Sequence, residues 1–193
     1  MMNDNTNQLP QRGNPVSKAV AAFLFRLFGW EVVGRLPNLP KMVLIGGPHT
    51  SNWDFLVTLN LIFYLGVRIN WMAKKEFFVR PFSHFLVWLG GVPIDRKATN
   101  GTVGQTAVAI EQREKIVLAI APEGTRSKVT RWRTGFYHIA HQANIPIVPV
   151  IADYGRKALI ITEPFTPSGD VETDLPQLQA RYQGVDGKRR EKS

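Results

Sequence analysis

Apolar positions along this chain change their spacing from block to block, and each change marks a switch between helix and strand. Phe23, Leu24, Leu27 and Phe28 form one face of a helix predicted over residues 18–28, with Ser17 as its N-cap and Lys18 and Arg26 on the other side. Such a helix suits either a membrane interface or the outside of a core. Strands are then predicted at 31–36, ended by Pro37 and Pro40, and at 42–46, a short continuous apolar run. A helix follows over 53–65, a strand at 69–73, a helix around 81–89 and a strand at 91–94. The rest alternates in the same way: helix 102–113, strand 116–121, helix 135–143, and strands 147–151 and 158–162.

This alternation predicts a single α/β domain: a mixed, largely parallel sheet flanked by helices, preceded by the amphipathic helix. The first sixteen residues, with Pro10, Gly13 and Pro15, read as a loose tail, and the domain is drawn over 17–167. Residues 168–193 read as a polar, basic tail with a short helix over 175–182. Its final run holds Lys188, Arg189, Arg190 and Lys192. Each basic residue near an anionic surface adds about 1 kcal/mol of attraction.

Charge sharpens this picture. The 193 residues carry 24 basic against 15 acidic side chains, a formal charge of +9, which predicts an anionic partner: nucleic acid, bilayer or phosphorylated substrate. There is no cysteine, so thiol catalysis, disulfides and Cys-ligated zinc are excluded. No apolar run approaches the ~18 residues of a spanning helix, and Gly29-Trp30-Glu31 offers no signal-peptidase site after the first apolar stretch.

Candidate chemistry concentrates where predicted strands end, which in open α/β sheets is where ligands bind. In Gly46-Gly47-Pro48-His49-Thr50-Ser51-Asn52-Trp53-Asp54, His49 can take up a proton near neutral pH, and Asp54 can hold the far ring nitrogen. The pair would form a general base, worth about 10²- to 10⁴-fold in rate. The plainer reading is a capped helix start beside a structural histidine. No Gly-x-Ser-x-Gly elbow is present, and Ser51 reads as a turn or capping serine. An activated thioester needs no enzyme nucleophile, because a substrate hydroxyl can attack it directly.

A second segment, Ala121-Pro122-Glu123-Gly124-Thr125-Arg126-Ser127-Lys128, also leaves a predicted strand. Arg126 offers a fork for phosphate, and Glu123 can accept from a hydroxyl or hold an arginine. A third, Gly90-Gly91-Val92-Pro93-Ile94-Asp95-Arg96-Lys97, brings Arg96 as a partner for Arg126. The fourth, Ile145-Pro146-Ile147-Val148-Pro149-Val150, is a proline-interrupted strand that could border the sheet or line a groove, but simple core packing is the reading favoured. His138 and His141, three apart on a predicted helix, lack a nearby carboxylate at ligand spacing, so no metal site is expected.

Taken in order, these four segments resemble the four-block pattern of the glycerophospholipid acyltransferases, the family that includes the 1-acylglycerol-3-phosphate acyltransferases. The resemblance covers about residues 30–165. It implies that His49 is the catalytic base with Asp54 as its partner. It further implies that Arg96, Glu123, Gly124 and Arg126 bind the acceptor, with Thr125 and Ser127 of the same block beside them. The implied acceptor is a lysophospholipid, 1-acylglycerol-3-phosphate foremost, and the donor acyl-CoA or an acyl carrier protein, with no cofactor. An enzyme of this kind is expected at an anionic membrane surface, peripheral or monotopic on the cytoplasmic face. Pro48 and Pro93 depart from the family pattern, at positions where acceptor shape is read.

Two other functions compete with acyl transfer. A lipid hydrolase would let water replace the acceptor. A non-catalytic basic module binding RNA or membranes would explain the charge and Arg131-Trp132-Arg133. It would leave His49, Asp54 and Glu123 accidental, so nucleic acid is not the partner expected.

Overall fold

The computed structural model of the chain describes residues 7–49, 51, 53–94, 102–124 and 132–188. In chain order it holds α1 (Pro15–Phe28), β1 (Glu31–Val33), β2 (Lys41–Gly47), α2 (Trp53–Leu65), β3 (Ile69–Lys74), α3 (Ser83–Trp88) and β4 (Gly91–Ile94). These are followed by α4 (Thr102–Glu111), β5 (Ile116–Ile120), α5 (Gly135–Gln142), β6 (Ile147–Asp153), β7 (Ala158–Ile161) and α6 (Val171–Ala180). The seven strands form one sheet in the order β1-β7-β6-β2-β5-β3-β4. From β6 to β4 every neighbour is parallel, while β7 runs antiparallel to β6 and carries β1 parallel to itself. The carboxyl ends of β2, β3, β4, β5 and β6 therefore share one edge.

The pleat sorts side chains to two covered faces. Met42 and Leu44 of β2, Val117 of β5 and Val148 and Val150 of β6 pack with Phe25 of α1 and Leu61 and Ile62 of α2. Their sequence neighbours Val43, Ile45, Leu118 and Ile147 point the other way, against Ile110 of α4, Phe136 and Ile139 of α5 and Leu178 of α6. Burial on both faces explains why β2 reads as a continuous apolar run rather than an alternating one. Each fully buried Val, Ile or Met there contributes roughly 1.5–3 kcal/mol.

Two expectations change. The first helix begins at Pro15, not after Ser17. Asn14 is the N-cap, accepting from Ser17 N at 2.9 Å, while Asn14 N donates to Ser17 Oγ at 2.9 Å. Pro15 sits at a position where its missing N–H costs nothing and its fixed φ suits the helix. Residues 7–16 are also tied down: Gln11 bridges to Val67, and the Arg12 guanidinium donates to Trp88 O at 2.9 Å and lies 4.6 Å over the Trp88 ring.

The second change concerns residues 168–193. The described part is not a loose tail. Asp170 caps α6 through the Glu172 and Thr173 amides, and Leu178 is fully buried. Asp174, also buried, accepts from Tyr137 Oη and Ser168 N, each at 2.7 Å. The proline-bearing strand β6 lies inside the sheet between β7 and β2, in keeping with the core-packing reading and not with a border position. Pro149 is tolerated because it stands at the end of the β6–β7 ladder. Its carbonyl accepts from Thr162 N at 3.0 Å, just past the last residue of β7, and antiparallel pairing on that side resumes only at Ile147, which exchanges hydrogen bonds with Phe165.

Candidate active site

The central strand β2 ends at Gly47, and His49 follows two residues later at the shared carboxyl edge. Asp54 lies in the first turn of α2, a position where a helix favours negative charge. Ser51 builds the turn between them. Its N–H donates to Asp54 Oδ2 at 2.7 Å and its hydroxyl to Asp54 Oδ1 at 3.3 Å, while Trp53 N donates to Ser51 Oγ at 3.1 Å. This is a helix-capping arrangement, and the same carboxylate that caps the helix faces the imidazole. His49 Nδ1 stands 4.0 Å from Asp54 Oδ2, within ion-pair reach but longer than a hydrogen bond. Active-site contacts of this kind often tighten only with substrate bound. The burial differs sharply: the Asp54 side chain is 4% exposed and that of His49 35%. A buried carboxylate behind a part-exposed ring is the layout a histidine base requires.

A third group, with no counterpart in the sequence motifs, completes the cluster. Tyr154, the first residue after β6, donates its hydroxyl to Asp54 Oδ1 at 2.6 Å across 100 residues of chain. Burial first, and then the hydrogen bond to Asp54, push the Tyr154 phenol far up, so it stays protonated and remains a donor. Trp30 packs edge-on against its ring, centroids 4.9 Å apart at 90°.

Glu123 arrives from the neighbouring strand β5. Its two carboxylate oxygens accept from the backbone N–H of His49 at 3.1 and 3.3 Å. Here the carboxylate steadies the histidine loop. Burial raises the Glu123 carboxyl to about 7; the His49 N–H opposes the rise and the charge on Asp54 adds to it. A Cβ on Gly47 would lie 3.4 Å from both Glu123 Oε1 and Tyr182 Cε1, so glycine there lets the carboxylate approach β2. Tyr182, beyond α6, donates to Ile45 O at 2.6 Å and meets the Trp132 ring edge-on at 5.1 Å. Gly124 adopts φ 65°, the left-handed region that favours glycine. Its loop is closed by Arg133 N donating to Pro122 O at 2.8 Å.

Of the candidate residues, the structure brings together His49, Asp54, Glu123 and Gly124. Arg96, Thr125, Arg126 and Ser127 lie outside the described residues. His138 and His141 sit on α5, away from this edge, where the His141 ring stacks on Tyr137.

The sequence model of a family described as acyltransferase matches residues 31–153, from the start of β1 to the end of β6. The chain belongs to the acyltransferase family. A 1-acyl-sn-glycerol-3-phosphate acyltransferase of Haemophilus influenzae is 28% identical to this acyltransferase over 179 residues, covering 81% of it and 73% of the relative. Another of that name, from Escherichia coli, is 32% identical over 135 residues, covering 64% of this chain and 53% of the relative. The acyltransferase thus spans about three quarters of the one and about half of the other. The crystal structure of the 1-acyl-sn-glycerophosphate acyltransferase PlsC from Thermotoga maritima superposes with a TM-score of 0.63 at 19% identity. That match covers 87% of this chain and 76% of the other, and the two share a fold.

Proposed function

We propose that this acyltransferase moves a fatty acyl group from an acyl thioester to the free hydroxyl of 1-acylglycerol-3-phosphate, with His49 as general base and Asp54 as its partner. The observation that carries the reading is the buried Asp54 carboxylate, held from two sides and facing the part-exposed His49 ring at 4.0 Å. The names of both relatives support the acceptor. In the reaction, Nε2 of His49 takes the proton of the acceptor hydroxyl as its oxygen attacks the thioester carbonyl. The tetrahedral intermediate collapses, the C–S bond breaks, and the departing sulfur takes the proton back from the imidazolium. Asp54 stabilises that imidazolium while it exists. Acyl-CoA or an acyl carrier protein serves as donor.

Arg126 and Arg96 are assigned to the acceptor phosphate, with Glu123, Gly124, Thr125 and Ser127 shaping the loop around it. In sequence Arg126 follows β5, the neighbour of β2, whereas Arg96 follows β4, a strand three places from β2, roughly 14 Å at ~4.8 Å per strand. Arg126 is therefore given the larger share.

The enzyme works peripherally at an anionic membrane surface, on the cytoplasmic face. Among the described residues no helix is long and apolar enough to cross a membrane. Phe23 and Leu27 of α1, Leu56 of α2 and Phe82, Phe85 and Trp88 around α3 are exposed, flanked by exposed Lys18, Arg26, Lys75 and Arg80. Apolar side chains ringed by cations suit the headgroup–acyl boundary of an anionic bilayer.

The test is incubation with labelled acyl-CoA, with and without 1-acylglycerol-3-phosphate, read by mass spectrometry. The proposal predicts label in diacylglycerol phosphate only when acceptor is present. Free fatty acid released at the same rate without acceptor would make the protein a hydrolase instead.

A further inference from the structure

Tyr154 is a buried-side partner that the chemistry proposed above does not yet use. Its geometry divides the Asp54 carboxylate between two tasks. Oδ1 accepts from Tyr154 Oη at 2.6 Å and from Ser51 Oγ at 3.3 Å, while Oδ2 accepts from Ser51 N at 2.7 Å and faces His49 Nδ1. With the tyrosine on one oxygen, the carboxylate plane cannot swing away from the ring without breaking the shortest hydrogen bond it makes among those described. The tyrosine is itself clamped from both chain ends. Trp30, after α1, meets its ring at 4.9 Å, Asp186 O accepts its backbone N–H at 2.8 Å, and Lys188 Nζ lies 5.9 Å from the ring centroid. A side chain held this firmly, aimed at one atom of a buried carboxylate, does more than fill space.

We propose that Tyr154 is a positioning residue for acyl transfer: through the bond from its hydroxyl to Asp54 Oδ1 it fixes the carboxylate that orients and charges His49. The proposal rests on the reading of His49 and Asp54 as base and partner. It makes the unit a chain of three groups, Tyr154–Asp54–His49, drawn from the ends of β6, α2 and β2. A phenol O–H on the carboxylate also spreads part of its negative charge, which moderates its hold on the imidazolium proton. Among the described residues, the other ionisable groups around this chain include Glu123 on the His49 amide, Asp153 and Asp186 beside Gly155 and Lys188 over the Tyr154 ring, and a change of tyrosine to phenylalanine leaves these side chains in place.

The experiment compares Tyr154→Phe, Asp54→Asn and the double variant with wild type, using acyl-CoA and 1-acylglycerol-3-phosphate across pH. Phenylalanine keeps the ring that packs on Trp30, so the fold is expected to hold, checked by melting temperature. The predicted kcat of Tyr154→Phe falls about tenfold with KM nearly unchanged, the loss expected for a hydrogen bond to a charged group. The sign of the pH effect follows from the same bond. Without the phenol the carboxylate is more basic and holds the imidazolium proton more tightly, so the acid limb of kcat/KM moves to higher pH. In the double variant the losses do not multiply, because the tyrosine acts only through Asp54. A Tyr154→Phe enzyme with wild-type kcat and an unmoved acid limb overturns the proposal, as do fully multiplicative losses. His49→Ala separates the two levels of inference: full activity in that variant removes the base itself, whereas its inactivity beside a normal Tyr154→Phe removes the role of Tyr154 alone.

Discussion

The layer formed by α1, α2 and α3 and the layer formed by α4, α5 and α6 cover the two faces of one sheet, yet they present opposite surfaces to the outside. On the second layer the outward positions are Gln105, Glu111, His138, His141, Gln142, Glu172 and Gln177, the ordinary polar coat of a helix on a core. On the first they include Val20, Phe23 and Leu27 of α1, Trp53, Phe55 and Leu56 of α2, and Phe85 and Trp88 of α3. Among the described helical residues, the one large apolar side chain exposed on the second layer is Val108. Exposed apolar side chains concentrated on one layer mark an interaction face rather than the scatter of single residues expected on any surface. The difference also bears on where the proposed catalytic pair sits. Asp54 belongs to the first turn of α2, between exposed Trp53 and Phe55, so the proposed base lies at the rim where the apolar layer meets the carboxyl edge of the sheet. An acceptor still anchored in a bilayer by its acyl chain would present its glycerol end at that rim.

The comparison breaks if the two layers behave alike toward lipid. Replacing Phe82 and Phe85 by Asp should weaken binding to vesicles containing anionic phospholipid by at least about 100-fold, since each removes an aromatic side chain worth about 1.5–3 kcal/mol of burial. Val108→Asp on the opposite layer should leave vesicle binding unchanged. Sedimentation with vesicles measures both, and equal losses in the two would erase the distinction. Stability sharpens the same contrast in reverse. Leu178 of α6 is fully buried, so Leu178→Ala should cost about 3 kcal/mol in denaturant unfolding, whereas Leu56→Ala on the exposed side of α2 should cost under about 0.5 kcal/mol. The first of these also tests whether residues 168–180 belong to the folded unit.

The smallest effect concerns Glu123. Its carboxyl is raised to about 7, so the folded state holds a proton there that the unfolded chain has released above its ordinary value of 4.5. The stability this contributes is fully present below about 4.5 and is lost as pH rises through about 7. Discounted for partial exposure it amounts to about 1 kcal/mol, or about 2–4 °C in melting temperature. Glu123→Gln should flatten this part of the pH profile, read by thermal melts between pH 4.5 and 8.

Much of this architecture was legible in the chain. The bounds of α2 and β4 follow directly from apolar spacing, and the strand-end positions of His49 and Glu123 follow from the glycines and prolines that stop β2 and β5. What was not legible is long-range. The order of strands places β6 inside the sheet, third from one edge, although it is the sixth in sequence, and its prolines left an edge position open. Tyr154 reaches Asp54 across 100 residues, and its only local signal is that it follows directly on a strand ending at the same edge as His49. A short helix over 175–182 was legible, but its place in the folded unit was not, because the segment is polar in composition. Its attachment depends on Leu178, with Val171 and Leu175 packed beside it, and on a buried aspartate that two donors satisfy, and polar anchors of that kind leave no periodic trace. Ser17 looked like the helix cap because the capping box is reciprocal, and either of its two partners can be taken for the first.

The most direct test of the central claim is the turnover number of His49→Ala with acyl-CoA and 1-acylglycerol-3-phosphate, measured beside its melting temperature and vesicle binding. Transfer is predicted to fall by about 10³-fold or more while both controls match wild type, as loss of a general base and nothing else would produce. Transfer within about twofold of wild type would contradict the account, because no other group has been assigned to take the proton.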